Sequence, residues 1–300
     1  AKYGMRDLDG NFSPEKVREL AKSVKAFEIK LSQGAKPGKG GVLPGAKVTE
    51  EIARIRGIPK GEDSISPNRH LDIANVNDLL DKIAYMRELT GRPVGVKTAI
   101  GGWDFTNELC DAILRRGREY APDFLAIDGA EGGSGAAPQT LFDHMALPIA
   151  EALPRVVDSL IQSDLKSRIR VIASGKLVTS ARASWALCVG ADFINTARGF
   201  MFALGCIQAL RCHQNTCPTG VTTHNKRLQR GLVVEEKFVR VANYCKNMNK
   251  EIDMIAHSCG LHHAREFRRE HVRIVHNANQ SIALSTLYPY PASGAPARAA

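Results

Sequence analysis

Two groups of residues capable of chemistry lie back to back between residues 197 and 220. The first is Ala197-Arg198-Gly199, directly after the strand-like Phe193-Ile194-Asn195-Thr196. A strand that breaks into a small residue, a cation and a glycine before a helix presents backbone N–H groups and positive charge to a phosphate. The same pattern also describes an ordinary turn. The second group is Cys206, Cys212 and Cys217, spaced C-x5-C-x4-C, with Pro218 after the last. Three cysteines within twelve residues suit a thiolate-ligated iron–sulfur cluster. Structural zinc with His213 as fourth ligand is an alternative, weakened because the neighbours Cys212 and His213 rarely converge on one tetrahedral ion. Three unrelated reduced thiols are another. A phosphate site beside a cluster site points to electrons passing between a nucleotide-type cofactor and iron.

The elements that would position these groups alternate regularly. Strands are predicted near residues 27–31, 93–98, 124–127, 170–173 and 193–197, each an apolar or alternating run closing on glycines or polar turn residues. Helices are predicted near 14–24, 49–55, 77–90, 107–116, 153–163 and 180–189, the first opened by the cap signal Ser13-Pro14-Glu15. The segment 57–68 reads as loop. Strands alternating with helices imply a parallel sheet with crossover helices. Glycine-rich loops after the strand carboxyl ends favour a TIM-type (β/α)8 barrel over an open sheet. No G-x-G-x-x-G opens a helix, which argues against a Rossmann unit. Five strands fall short of the eight that close a barrel, so only its later βα units are expected here. The implied organisation is a lead-in loop and helix over 1–26, a partial barrel with the cysteine loop over 27–225, a helical extension over 226–280 and a disordered tail over 281–300. Within the extension, separate helices are expected at 235–246 and 250–256 and a short basic one at 264–271.

Composition excludes several classes. The chain of 300 residues is 44% hydrophobic and 24% charged, ordinary for a globular protein. No apolar run approaches the ~18–20 residues of a membrane helix. Seven cysteines, an odd number, do not look like a secreted disulfide framework, and a reducing cytoplasm fits better. The net charge of +10 is spread among acids, much of it over 226–273, with no nucleic-acid signature, so no nucleic-acid partner is expected. The nine histidines form no H-E-x-x-H arrangement and read as surface or packing residues.

Several segments resemble one family. Ile29-Lys30-Leu31-Ser32-Gln33-Gly34-Ala35-Lys36-Pro37-Gly38, Leu43-Pro44, Ile52-Ala53-Arg54, Gly132-Gly133-Ser134-Gly135-Ala136 and the block A-L-G-C…C-H-Q-N-T-C-P-T-G are similar to the FMN-binding synthase domain of glutamate synthases. The resemblance runs over about residues 27–225. It is nearest to the stand-alone glutamate-synthase-like subgroup without a glutaminase domain, which the opening G-M-R-D-L-D-G-N-F also fits, and to that domain's carboxyl-terminal portion.

The resemblance implies FMN, a [3Fe–4S] cluster, and reduction of 2-iminoglutarate, formed from 2-oxoglutarate and ammonia, to L-glutamate. It implies a redox donor such as ferredoxin or a reductase subunit, and it is compatible with a homo-oligomer. In members of this subgroup a membrane-associated segment often comes first. It assigns Lys97 to the flavin pyrimidine ring, and Ser174, Gly175, Lys176, Ala197, Arg198 and Gly199 to the FMN phosphate. Gln33 and Lys36 would line the flavin and substrate pocket, and Arg56 would clamp a substrate carboxylate. Cys206, Cys212 and Cys217 would carry the cluster. One departure bears on substrate: Val42 stands where the longer synthases carry a glutamine expected to help bind 2-oxoglutarate. Two rivals therefore stand beside the glutamate-forming reading. One keeps the cofactors with a different imine or keto-acid substrate. The other is a non-catalytic electron-transfer subunit or inactive fragment.

Overall fold

The computed structural model describes residues 5–7, 9, 11–132 and 137–292. Its elements follow from local signals in the chain. Helix α1 (Pro14–Ala21) starts where the Ser13 hydroxyl accepts from the Lys16 N–H, with proline at the first helical position. Strand β1 (Phe27–Lys30) leads into a long loop, within which β2 (Val42–Leu43) and β3 (Ser64–Ile65) pair antiparallel around helix α2 (Glu50–Arg56). Thr49 caps α2, and Gly57 ends it in the left-handed conformation at φ 63°. Helix α3 (Val76–Thr90), capped by Asn75, precedes β4 (Val94–Thr98) and α4 (Asp104–Arg116). Then come β5 (Phe124–Asp128), α5 (Ile149–Gln162), β6 (Arg170–Ser174), α6 (Ser180–Val189), β7 (Phe193–Asn195) and α7 (Ala197–Leu204). The extension holds α8 (Lys226–Gln229), α9 (Val234–Ser258), a hairpin of β8 (Arg273–Asn277) and β9 (Gln280–Ala283), and α10 (Leu284–Leu287).

Among the described residues β1, β4, β5, β6 and β7 form one parallel sheet in that order, which is also their order in the chain, with β2 and β3 set apart in the β1–β4 connection. A doubly wound sheet would reverse its order at a switch point, whereas unbroken sequential order is that of a barrel. The architecture is therefore a partial (β/α)8 barrel, five strands wide and bounded by β1 and β7. Its core lies between sheet and helices: Val94, Val96, Leu125 and Ile127 from the strands meet Leu80, Ile83, Leu109, Ile113, Leu153 and Val157 from α3, α4 and α5, all buried.

The extension differs from the sequence reading in three places. Helix α9 runs unbroken for 25 residues where two helices were expected, because Asn247 and Asn249 are polar but neither glycine nor proline interrupts the backbone. Residues 264–271 form two 3-10 turns, Ala264–Glu266 and Arg269–His271, instead of one helix. The tail expected to be disordered from 281 is ordered through 292. Asn279 turns the hairpin at φ 66°, and Leu284 is buried. Arg269, with no exposed surface, ties the tail down by donating to the Asp158 carboxylate at 2.5 Å and to the Tyr288 carbonyl at 2.8 Å, under the Tyr290 ring. Its apolar residues Ile282, Leu284 and Tyr288 outweigh the Pro-Ala-Gly composition that begins after them. Residues 293–300 lie outside the described residues. No helix among the described residues is long and apolar enough to cross a membrane.

Candidate functional site

The parallel register brings the carboxyl-terminal rim of the sheet into line. Asp128 sits opposite Ser174, and Ser174 opposite Asn195. Lys97 pairs with Ala126, two residues before Asp128, so Lys97 and Asp128 share one face. These residues line a cavity of about 580 Å³, within the range of small-molecule sites. Gln33, Val42, Leu43, Pro44 and Lys47 form one wall, and the first turn of α7 with the cysteine segment forms the other.

Asp128 is the hub of the rim and is 6% exposed. Its carboxylate accepts from the Gly34 N–H at 2.9 Å and from the Ser174 hydroxyl at 2.8 Å, and it lies 3.5 Å from Lys97 Nζ. It thus joins the loop after β1 to the ends of β4, β5 and β6. Gly34 can be nothing larger, since a Cβ there would stand 1.8 Å from the Gly129 carbonyl oxygen. Glu131, in the loop after β5, accepts the Ile149 N–H at the start of α5 at 3.0 Å and also lines the cavity. Gln33 is oriented by Lys30, whose Nζ donates to its Oε1 at 2.8 Å. Burial, and next the neighbouring Lys97 charge, lower the pKa of Lys30.

At the other end, α7 begins immediately after β7, and its Thr196 cap accepts no N–H of the first turn, its hydroxyl pairing instead with the Tyr244 hydroxyl at 3.2 Å. Ala197 and Arg198 line the cavity there, beside Gly175 and Lys176. Lys176 is 3.7 Å from Asp143 and faces the Phe142 ring. Gly199 is buried against α9 instead. A Cβ on it would fall 1.9 Å from the Tyr244 hydroxyl, so close helix packing accounts for this glycine.

Cys206, Cys212 and Cys217 are half-buried and all line the cavity. Burial alone would raise the Cys217 pKa, but hydrogen bonds from Thr219 and Thr222 outweigh it and bring the thiol down to about 6. The core cysteines behave in the opposite way: burial pushes Cys110 up to about 11 and Cys188 to about 12. Among the described residues no group of three His, Cys, Asp or Glu side chains is gathered closely enough to hold a metal ion, and this holds for Cys206, Cys212 and Cys217 together as it does for the zinc arrangement with His213.

Of the thirteen site residues read from sequence, ten line this one cavity: Gln33, Lys97, Ser174, Gly175, Lys176, Ala197, Arg198, Cys206, Cys212 and Cys217. Lys36, Arg56 and Gly199 are not among its lining residues. Lys36 lies in the loop beyond Gln33, its pKa lowered by burial and by Lys39. Arg56 closes α2. The segment 133–136 lies outside the described residues. Sequence reasoning missed Asp128, Glu131 and Lys47. For the two acids a signal existed, since polar residues at the carboxyl end of a barrel strand and in the loop after it face the site.

Residues 9–262 match the family model described as the conserved region in glutamate synthase. The chain is 44% identical over 273 residues to a glutamate synthase large subunit-like protein of Bacillus subtilis, covering 90% of this chain and 51% of that one. It is 38% identical over 251 residues to an archaeal glutamate synthase [NADPH] of Methanocaldococcus jannaschii, covering 83% and 48%. The chain thus spans about half the length of the curated relatives it matches. Among solved structures it is similar to the flavin-binding domain of baker's yeast flavocytochrome b2, at 14% identity and a TM-score of 0.48, over 85% of this chain and 49% of that one.

Proposed function

Because the chain belongs to the glutamate synthase family, we propose that it carries the cofactor-binding part of an oxidoreductase that reduces 2-iminoglutarate, made from 2-oxoglutarate and ammonia, to L-glutamate. The proposed cofactors are FMN and a [3Fe–4S] cluster. The observation that carries this reading is the convergence of cations, helix N–H groups and three thiols on one cavity at the carboxyl ends of the strands.

The residues present suit FMN. The uncapped first turn of α7 with Arg198 offers amide donors and a guanidinium to a phosphate. Lys97, held by Asp128, offers a cation about where a reduced flavin ring would carry negative charge. Three cysteines that line the same cavity, with Cys217 already acidified, would supply the thiolates of a three-iron cluster, for which their side chains must be drawn together from where they stand here. When bound, FMN would supply hydride to the imine carbon and the cluster would supply it with single electrons. The chain's own part is to bind and orient: Asp128 fixes Lys97, Lys30 fixes Gln33, and the Val42–Pro44 side presents apolar surface to the cavity. We propose a reducing partner of ferredoxin or reductase type, and a cytoplasmic setting.

A second reading follows from the wall itself. Val42, Leu43, Phe202, Ile207 and Leu210 line the cavity, whereas Arg56, the expected carboxylate clamp, and Lys36, expected to line the pocket, do not. That favours a 2-oxo acid with an apolar side chain over a dicarboxylate. Both readings meet in one experiment. The chain is reconstituted with FMN, iron and sulfide, reduced with dithionite, and supplied with ammonium and either 2-oxoglutarate or 4-methyl-2-oxopentanoate. L-Glutamate as the product supports the first reading, leucine alone supports the second, and no amino acid from either contradicts both.

A further inference from the structure

We infer that Lys47 is the positioning residue that holds the cysteine-bearing segment against the cavity and ties it to the loop after β1. Its Nζ donates to the Cys212 carbonyl at 2.5 Å and to the Thr222 carbonyl at 2.6 Å, across 165 and 175 residues of sequence. One ammonium therefore grips the segment on both sides of Cys217. The grip is charge-assisted at each carbonyl, the stronger class of hydrogen bond.

The anchor of this arm is stiff. Lys47 ends the 3-10 turn Gly45–Lys47, in which its own N–H donates to the Pro44 carbonyl at 2.8 Å. The Gly45 N–H donates to Asp63 at 2.6 Å, and the next residue, Val48, is buried. Gly45 packs so tightly on the 61–62 backbone that a Cβ would stand 2.2 Å from the Gly61 carbonyl oxygen. The same loop supplies Gln33, Val42, Leu43 and Pro44 to the cavity. Lys47 is thus a strut between the wall that faces a substrate and the wall that carries the thiols. It also places a fixed cation near Cys212 and Cys217, where thiolates or an anionic cluster need one. Displacement of either wall is carried to the other through a side chain with two fixed ends.

The inference rests on the proposed role of the cysteine wall, and its test requires no cofactor. Backbone hydrogen exchange is followed by mass spectrometry in the full chain, for wild type, Lys47→Met and Lys47→Arg. The reporters are the amides of Gln214, Gly220 and His224, each hydrogen-bonded within the segment. The methionine variant is expected to exchange these about tenfold faster or more, since two charge-assisted bonds are lost. Amides of β5 and β6 stay as slow as in wild type. Arginine, which can donate to both carbonyls, restores protection to within about threefold. Unchanged exchange in Lys47→Met overturns the inference. So does equal acceleration in β5 and β6, which would make Lys47 a general stabiliser, and so does an arginine variant as fast as the methionine one. Failure of the same samples to take up FMN counts against the proposed function and leaves the strut standing.

Discussion

Replacing Asp128 by asparagine separates the charge at the centre of the rim from its shape. The amide oxygen would remain with the Gly34 N–H, which has no other orientation available, and the Ser174 hydroxyl can rotate to accept from the new NH2. Two charge-assisted hydrogen bonds become neutral ones, a loss of about 1 kcal/mol each. Lys97, only 21% exposed in its side chain, loses its carboxylate at 3.5 Å, which adds about 1–2 kcal/mol. The expected total is about 3–4 kcal/mol, or a fall of about 1 M in the urea midpoint at unchanged slope, taking a slope of about 3 kcal/mol/M for a chain of this size. Lys97→Met alone should cost comparably, because it strands a buried carboxylate. The double variant should cost clearly less than the sum, since neither charge is then left alone. A midpoint shift below about 0.2 M for Asp128→Asn, or strictly additive single effects, would refute the hub.

Other perturbations test separate parts of the structure. Cys206→Ser, Cys212→Ser and Cys217→Ser should each abolish iron retention after anaerobic reconstitution, and Cys110→Ser, in the core, should not; iron held equally by all four variants would remove the cysteine wall from the cluster. Gly199→Ala should lower the urea midpoint by an amount equivalent to about 1–3 kcal/mol, because α7 must move off Tyr244; an unchanged midpoint would mean that α7 and α9 are not so closely packed. Asp72 is disfavoured as an anion by burial, yet hydrogen bonds from Lys82 and Arg6 outweigh this and hold its pKa at about 2. A depressed carboxylate pKa gives stability that is complete above about pH 4 and is lost as pH falls towards 2; for this largely exposed group the screened value is about 1 kcal/mol. Asp72→Asn should remove that part of the acid dependence between about pH 4 and 2, and an identical pH profile in the variant would show that the pairs contribute nothing.

The sheet was legible because its strands are short apolar runs closed by glycines and polar turn residues, as in P-V-G-V-K-T and R-V-I-A-S-G-K. Caps such as Ser13 and Thr49 marked helix starts for the same local reason. What was not legible depends on distance in sequence. Nothing near Lys47 announces Cys212, and nothing near Gly34 announces Asp128, 94 residues away. The resemblance implies a pocket role for Lys36 and Arg56, but which residues line the cavity depends on how the loop after β1 folds back through β2 and β3. At Gly199 the sequence does not announce the packing against Tyr244, which by itself requires a glycine there. The ordered tail was obscured by a proline-rich terminus that begins only after its apolar anchors.

The proposed function depends most on the first turn of α7 and Arg198, which would hold the phosphate of FMN, with Lys97 as the cation that would face its ring. The direct measurement is a titration of the chain with FMN and, separately, with riboflavin, read by quenching of flavin fluorescence, in wild type and Arg198→Ala. Wild type should bind one FMN per chain and discriminate against riboflavin, and the variant should lose about 10- to 150-fold in FMN affinity, the equivalent of about 1.5–3 kcal/mol for one charge-assisted contact. Riboflavin affinity should be the same in both proteins. No saturable FMN binding, or equal FMN affinity with and without Arg198, would contradict the assignment.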